Sequence, residues 1–338
     1  MKILYKIAFY TNIAVAGLLL LGYLVPYLPP KHIGNLSMLA LLMPGLLLLN
    51  ILFAIYWMIR WKALAFISAG TLLLGFGYVG LWVQPWGKEA DTSKSFKLLS
   101  FNVRLFNHYH WHRDAELSQK ISDFFTQEAP DLIVLQEYYN SPDYVPQGYR
   151  YKAVVLRKAK DKIGLALFSK HKLLRWGSLQ FENTTNNGMY ADVLIGKDTI
   201  RVYNLHLESF HVSTKEDDLF TEDKQQLVEN ITQRFERQQE QVARFVAHQS
   251  ECRYPIIVCG DFNNTAYSYI YRKLRGNRLN DAFQEAGKGF GRTFEFKYFP
   301  MRIDFILPDK RLEVNNFKTH YLELSDHFPL TASLQMPE

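Results

Sequence analysis

The first 86 residues contain no aspartate and no glutamate, and their only lysines and arginines are Lys2, Lys6, Lys31, Arg60 and Lys62. The remaining 252 residues have the composition of an ordinary soluble α/β protein. Five of the six excess positive charges therefore belong to the first stretch, leaving +1 for the rest. The basic balance flanks apolar runs, so it does not signal a nucleic-acid-binding surface. Cysteine is scarce: Cys252 and Cys259 are the only two. Seven residues of extended connection at ~3.3 Å each hold them beyond disulfide reach. A chain of this size can stabilise a core without a disulfide. Cys259, inside PIIVCG, reads as a small buried hydrophobe. There is no glycine-rich nucleotide loop, no internal repeat and no low-complexity tract.

What the first stretch does have is three apolar runs, over residues 7–27, 36–59 and 64–83. Each reaches the roughly 20 residues that a helix needs to cross a bilayer. Tyr23, Tyr27, Trp57, Trp61, Trp82 and Trp86 lie near the run ends, where amphipathic rings favour the interface. PYLPPKHIG, after the first run, offers no small-x-small cleavage site, which argues against a cleaved signal peptide. Lys2 and Lys6 precede the first run, Arg60 and Lys62 fill the link between the second and third, and Lys31 alone sits in the other loop. This asymmetry puts the N-terminus in the cytoplasm and, after three spans, residue 87 onward in the periplasm or cell exterior. The expected organisation is a membrane anchor of three transmembrane helices at 1–86, a polar linker at 87–95 and a catalytic domain at 96–338.

The second part alternates strand-like and helical runs. FKLLSFNV, DLIVLQE, YKAVVL, IGLALFS, YADVLIG, TIRVYNLHL, PIIVCGD, RIDFILP and LTASLQM alternate or are continuously apolar, as buried strands are. Between His206 and Cys252, Leu227, Ile231, Phe235, Val242 and Phe245 recur at helical steps and make one packing stripe. The fold class expected is α/β (α+β): two packed mixed β-sheets flanked by helices in four layers, preceded by the three transmembrane helices.

Polar residues interrupt or end several of these strands. Read singly, Glu137 is a strand-end carboxylate, Asn102 a turn residue, and Asp261 with Asn263 a strand-to-loop turn. Together they have a chemistry in common. Phosphate-ester hydrolysis needs hard-metal ligands, a group that orients water and a cation facing the phosphoryl oxygens. FNVRLF, LIVLQE, IGLALFS, YNLHLES, GDFNN, RIDFIL and SDHFPL occur in that order, and with them residues 96–337 resemble the endonuclease/exonuclease/phosphatase superfamily, of deoxyribonuclease-like fold. That superfamily includes pancreatic-type deoxyribonucleases, abasic-site endonucleases, neutral sphingomyelinases and inositol polyphosphate phosphatases.

The resemblance implies roles. Glu137, Asn102 and Asp326 would hold Mg²⁺ or Mn²⁺. Asp261 would orient or deprotonate the attacking water, with Asn263 bonding phosphate or that water. His327, fixed by Asp304, would be the cation that meets the phosphorane, and His206 a second phosphate-facing histidine. Abasic endonucleases tend to carry tyrosine at the position of His206, which counts against that branch. The implied activity is a metal-dependent phosphodiesterase of nuclease type. Membrane attachment keeps a phospholipid head-group phosphodiesterase or phosphatase open, and a binding module that kept the fold is the third possibility. The run His108-Tyr109-His110-Trp111-His112 has no counterpart in the resemblance and reads as a polar loop with aromatic packing, with metal binding or stacking on substrate as its functional alternatives.

Overall fold

The structure is a computed structural model that describes residues 2–88, 90–210, 224–296 and 300–337. It begins with α1 (Lys2–Leu24), the short α2 (Pro30–Ile33) and α3 (Leu39–Ile59). With their helical extensions, Lys2–Tyr27 and Pro30–Ile59 are long and apolar enough to cross a membrane by length and composition. The two pack antiparallel through buried polar side chains: Trp57 Nε1 donates to Asn12 Oδ1 (2.9 Å), and Asn50 Nδ2 to the Val15 carbonyl (3.4 Å).

The third expected span is not formed as one helix. Residues 64–83 break into α4 (Ala65–Leu74) and α5 (Phe76–Val79), with only Lys2–Tyr27 and Pro30–Ile59 meeting the criterion for a span among the described residues. The break falls at Gly75, where the Tyr23 ring packs so closely that a Cβ would lie 1.9 Å from it and would displace that ring. At ~1.5 Å per residue α4 is about 15 Å long, half a hydrocarbon core of ~30 Å. Counting apolar residues measured composition and missed this loss of continuity.

The remainder is α+β. In chain order it contains β1 (Val83–Gln84), β2 (Phe96–Asn102), α6 (Leu117–Glu128), β3 (Leu132–Tyr139), β4 (Tyr151–Leu156), β5 (Ile163–Ser169), β6 (Leu173–Ser178), β7 (Asn187–Ile195) and β8 (Asp198–His206). Then follow α7 (Lys224–Ser250), β9 (Ile256–Asp261), α8 (Tyr269–Arg275), α9 (Ala282–Ala286), β10 (Gly289–Phe290), β11 (Asp304–Pro308), β12 (Glu313–Thr319) and β13 (Leu330–Gln335). The strands make three sheets where two were expected: a six-stranded sheet β12-β13-β2-β3-β5-β4, a five-stranded sheet β11-β9-β8-β7-β6, and a two-stranded ribbon β1-β10. The ribbon's strands are two residues each, too short to show a period in sequence.

The two large sheets bury one core between them. Leu98, Leu132 and Val134 of one face Ile200, Val202, Ile257, Cys259 and Ile306 of the other. The alternate residues point outward, Ile133 and Leu135 under α6 and Tyr203 and Val258 under α7, α8 and the N-terminal helices. Ile231, Phe235, Val242 and Phe245 of α7 are buried, as the stripe predicted.

The helical hairpin docks on the α+β part at the end that carries residues 24–40. Lys31 Nζ meets Glu240 Oε1 at 2.8 Å, and the Arg272 guanidinium lies 4.2 Å over Tyr27. Pro44 lies inside α3 and has no N–H to give the Ala40 carbonyl. The Thr265 hydroxyl donates to that carbonyl instead, at 2.7 Å. Nearby, Tyr267 stacks on Tyr78, which stacks on Tyr23.

Gly260 precedes the acidic end of β9 at φ +127°, and a Cβ there would lie 2.1 Å from the Leu205 carbonyl oxygen of neighbouring β8. Gly260→Ala is therefore expected to cost about 1–3 kcal/mol of stability. Thermal unfolding of the full chain in detergent micelles measures it, and an unchanged midpoint would contradict the close packing of β8 on β9.

Candidate active site

Strand alternation builds the site. Side chains two apart share a face, so Asn102 of β2, His206 of β8, Asp261 of β9 and Asp304 of β11 continue the inward-facing rows that begin with Leu98, Val202, Cys259 and Ile306. Going along those rows, the space between the sheets changes character. After the apolar layer comes a buried amide layer, in which Gln136 Nε2 donates to Asn204 Oδ1 at 2.7 Å and Asn204 Nδ2 to the Leu135 carbonyl at 2.8 Å. The charged cluster follows, at the strand ends.

Glu137 has the wrong parity for this face. It sits where the β3–β5 register shifts between Leu135 and Tyr138, with its own φ at +49°. This bulge turns the carboxylate inward, where Asn102 Nδ2 lies 3.4 Å from Glu137 Oε1 and donates to Asp261 Oδ2 at 3.1 Å. His206 Nε2 stands 3.9 Å from Glu137 Oε1 and 3.6 Å from Asp261 Oδ2.

Asp261 and Asp304 are directly opposite partners in the antiparallel β9–β11 ladder. Both are buried, and His327 reaches between them from the loop before β13. Its Nδ1 lies 3.0 Å from Asp304 Oδ2 and its Nε2 3.7 Å from Asp261 Oδ2. The Asp304 backbone N–H donates to Thr293 Oγ1 (3.0 Å). Asn263, at φ +48°, gives its backbone N–H to Asp261 Oδ1 (2.8 Å) and its Nδ2 to the Leu207 carbonyl (2.9 Å).

Burial pushes the Asp261 carboxyl up to about 7; the nearby His327 opposes the rise and the Asp304 charge adds to it. Burial alone would lower His327, but the charges of Asp304 and Asp261 raise it to about 10, so the imidazole is held protonated. The ligand atoms of Asp261, Asp304 and His327 all lie within 4.8 Å of one another; the carboxylates suit a divalent metal ion, and His327 would join them only as the neutral imidazole.

Of the eight residues singled out in the sequence, seven join through these contacts. Asp326 is the exception: beside His327 in the chain, its carboxylate pairs with Arg104 Nη1 at 2.9 Å. Arg104 was not foreseen. It is the fourth letter of FNVRLF, and nothing in the run announces its pairing. Gln136 and Asn204 were also missed, although an amide inside each of the apolar runs LIVLQE and YNLHL was a readable signal.

The Endonuclease/Exonuclease/phosphatase family matches residues 99–327, and a family described as a domain of unknown function matches residues 5–82. Among solved structures, the chain is similar to an endonuclease/exonuclease/phosphatase from Bacteroides vulgatus, at 18% identity and a TM-score of 0.57, over 72% of this chain and 99% of that one. The human Nocturnin catalytic domain with bound sulfate anion matches at 16% identity and 0.56, over 72% and 94%. D. rerio TDP2 complexed with single strand DNA product matches at 15% and 0.54, over 72% and 100%. At these identities the solved structures speak for the fold alone. No curated protein matches. The family and the acid–histidine cluster together support a hydrolase acting on phosphate esters.

The His327 pairing has a pH signature. Its folded value of about 10 lies above the ordinary 6.5, so the stability it contributes is fully present below pH 6.5 and is lost as pH rises through about 10. In metal-free buffer, the melting temperature of the wild-type chain should fall more between pH 7 and 10 than that of His327→Gln. Parallel curves would show that His327 is neutral in the folded state.

Proposed function

The chain belongs to the Endonuclease/Exonuclease/phosphatase family, and from that premise we propose that it is a membrane-anchored, metal-dependent phosphohydrolase of the phosphodiesterase and nuclease type. One observation carries the reading: Glu137, Asp261 and Asp304 converge with Asn102, His206 and a protonated His327 at one end of the space between the sheets. Such a set offers oxygen donors and a cation to the same small volume.

Glu137 and Asn102 would hold Mg²⁺ or Mn²⁺, hard ions that prefer oxygen ligands, and Asp326 would join them only by exchanging its Arg104 partner for the ion. Bound there, the ion would polarise a phosphoryl oxygen and offset charge that develops on it. The chain's own groups do the rest. Asp261, fixed by the Asn102 amide and the Asn263 backbone, orients the attacking water and takes its proton; a carboxyl raised towards neutrality is a stronger base than an exposed one. Asn263 and His206 face the phosphate. Asp304 keeps His327 cationic and fixes its tautomer, so that Nε2 meets the charge of the phosphorane or gives its proton to the leaving oxygen.

Residues 1–86 serve as the anchor, with the bilayer as their partner. The catalytic part packs on the end of the hairpin formed by residues 24–40, opposite the end that bears Lys2, Lys6, Arg60 and Lys62. That placement favours a catalytic part on the extracytoplasmic side of an inner membrane. It also supports a second reading, a phospholipid head group as substrate, because the loop that starts at Asp261 reaches the hairpin at Thr265.

A panel of plasmid DNA, RNA, sphingomyelin, phosphatidylinositol phosphates and a simple aryl phosphodiester, offered with Mg²⁺ to the full chain in detergent, tests the function. Cleavage of nucleic acid alone upholds the first reading and cleavage of lipid alone the second. Failure to cleave any of them would leave a binding module. On the substrate found, Glu137→Gln should lose at least tenfold in activity at low metal and regain part of it at raised Mg²⁺ or Mn²⁺, since the amide keeps the shape but not the charge. Native rates at low metal would remove Glu137 from the ligand set. Alkaline phosphatase fused after Trp86 should be active and a cytoplasmic fluorescent reporter dark; the reverse pattern would overturn the orientation.

A further inference from the structure

The chemistry just described makes no use of the loop that follows Asn102, yet that loop is held in a costly conformation. Arg104, Leu105, Phe106 and Asn107 take φ values of 40°, 58°, 53° and 61°, four consecutive residues with a Cβ in the left-handed region. Such backbone is unfavourable at each residue and persists only where surrounding contacts over-determine it, most often at ligand-binding sites. Those contacts are present. The Asn107 amide clasps the far side of the loop, its Nδ2 donating to the His112 carbonyl (3.0 Å) and its Oδ1 accepting from the His112 N–H (2.9 Å). The Phe106 ring lies flat on Tyr144, with centroids 4.8 Å apart. The Arg104 guanidinium, paired with Asp326, covers the Trp111 ring at 4.3 Å.

The clasp presents a set of rings. His108 lies on Tyr139 with centroids 3.8 Å apart and planes 23° from parallel, and Tyr109 stands edge-on to His108 at 5.0 Å. Lys162 Nζ lies 5.7 Å from the centre of the Tyr139 ring. Tyr139 is two residues beyond Glu137, about 7 Å along the strand. Tyr109 is 65% exposed, more than any other large apolar side chain described beyond residue 90. A loop built only for its own packing would turn its largest free ring inward.

We propose that Tyr109 and His108, the latter backed by the buried Tyr139 ring, form with Lys162 at the rim a stacking subsite for one unpaired nucleobase of a phosphodiester whose phosphate lies between Glu137 and Asp261. This rests on the phosphodiesterase reading and narrows it to nucleotide substrates. Every base has a π-face, so the subsite selects for the presence of a base and not for its identity. Lys162 and Arg104 supply positive charge beside a backbone that would otherwise meet a cluster of carboxylates.

The test compares two ligands on the full chain in detergent, with Mg²⁺ present and Asp261→Asn preventing turnover: a thymidine dinucleotide, and the same sugar–phosphate backbone with both bases missing. Dissociation constants come from calorimetry. The dinucleotide should bind roughly tenfold or more tightly than the baseless analogue. Tyr109→Ala should collapse that ratio, and Tyr109→Trp should restore it. Equal affinity for both ligands in the parent chain would overturn the subsite. So would an unchanged ratio in Tyr109→Ala, or an equal weakening of both ligands, which marks a collapsed loop. Because binding is the readout, a preserved ratio together with no hydrolysis of any phosphodiester by the wild-type chain would uphold the subsite and sink the phosphodiesterase reading.

Discussion

Two buried carboxylates facing each other across one ladder set the terms for the rest of the molecule. Asp261 and Asp304 occupy opposite positions on β9 and β11, where like charges repel and water is not at hand to screen them. His327 meets both, through Nδ1 on Asp304 and Nε2 towards Asp261. It arrives from the loop leading into β13, a strand of the other sheet. The charge balance of one sheet thus depends on a residue delivered by its neighbour. The two sheets have to be packed before the site is electrostatically tolerable.

The approach to that cluster is graded. Aliphatic side chains fill the space between the sheets at one level, Gln136 and Asn204 bond to each other at the next, and the ionisable groups come last. The change in polarity is stepwise along the rows, and the ring of Phe294 is set against the charged cluster, its centroid 4.9 Å from that of His327. Asn102 shows how this works at short range: one amide bonds two acidic groups and accepts the Arg104 backbone N–H in return, at 3.2 Å.

The site residues were legible through the resemblance that seven motifs carry, and strand alternation accounts for how most of them meet. Asn102, His206 and Asp261 share the parity of the buried residues before them, and Asp304 that of Ile306 after it, so an inward-facing row fits their direction as well as their burial. Glu137 does not share it. Only the bulge beside it turns it inward, and a bulge leaves no periodic trace. The left-handed course of residues 104–107, which aims Arg104 at Asp326, is equally silent, since none of the four is glycine. The third apolar run shows the reverse problem. Its composition is that of a span, but Gly75 is where a neighbouring tyrosine presses against the helix, and that neighbour is fixed by tertiary structure.

Pro44 has a consequence that reaches well beyond its own helix. By withholding the intrahelical N–H from the Ala40 carbonyl, it leaves an acceptor that the α+β part fills through Thr265, four positions after Asp261. Tyr267 and Ile270 belong to the same continuous core as Leu19, Met43 and Leu47 of the hairpin. Cutting the chain at its polar stretch near residue 90 would therefore not release a finished enzyme. It would uncover an oily face and untie the far end of the loop that begins at Asp261. Rates measured on such a fragment would describe a slackened version of the site, and its tendency to self-associate would reflect the lost helices, not the catalytic fold.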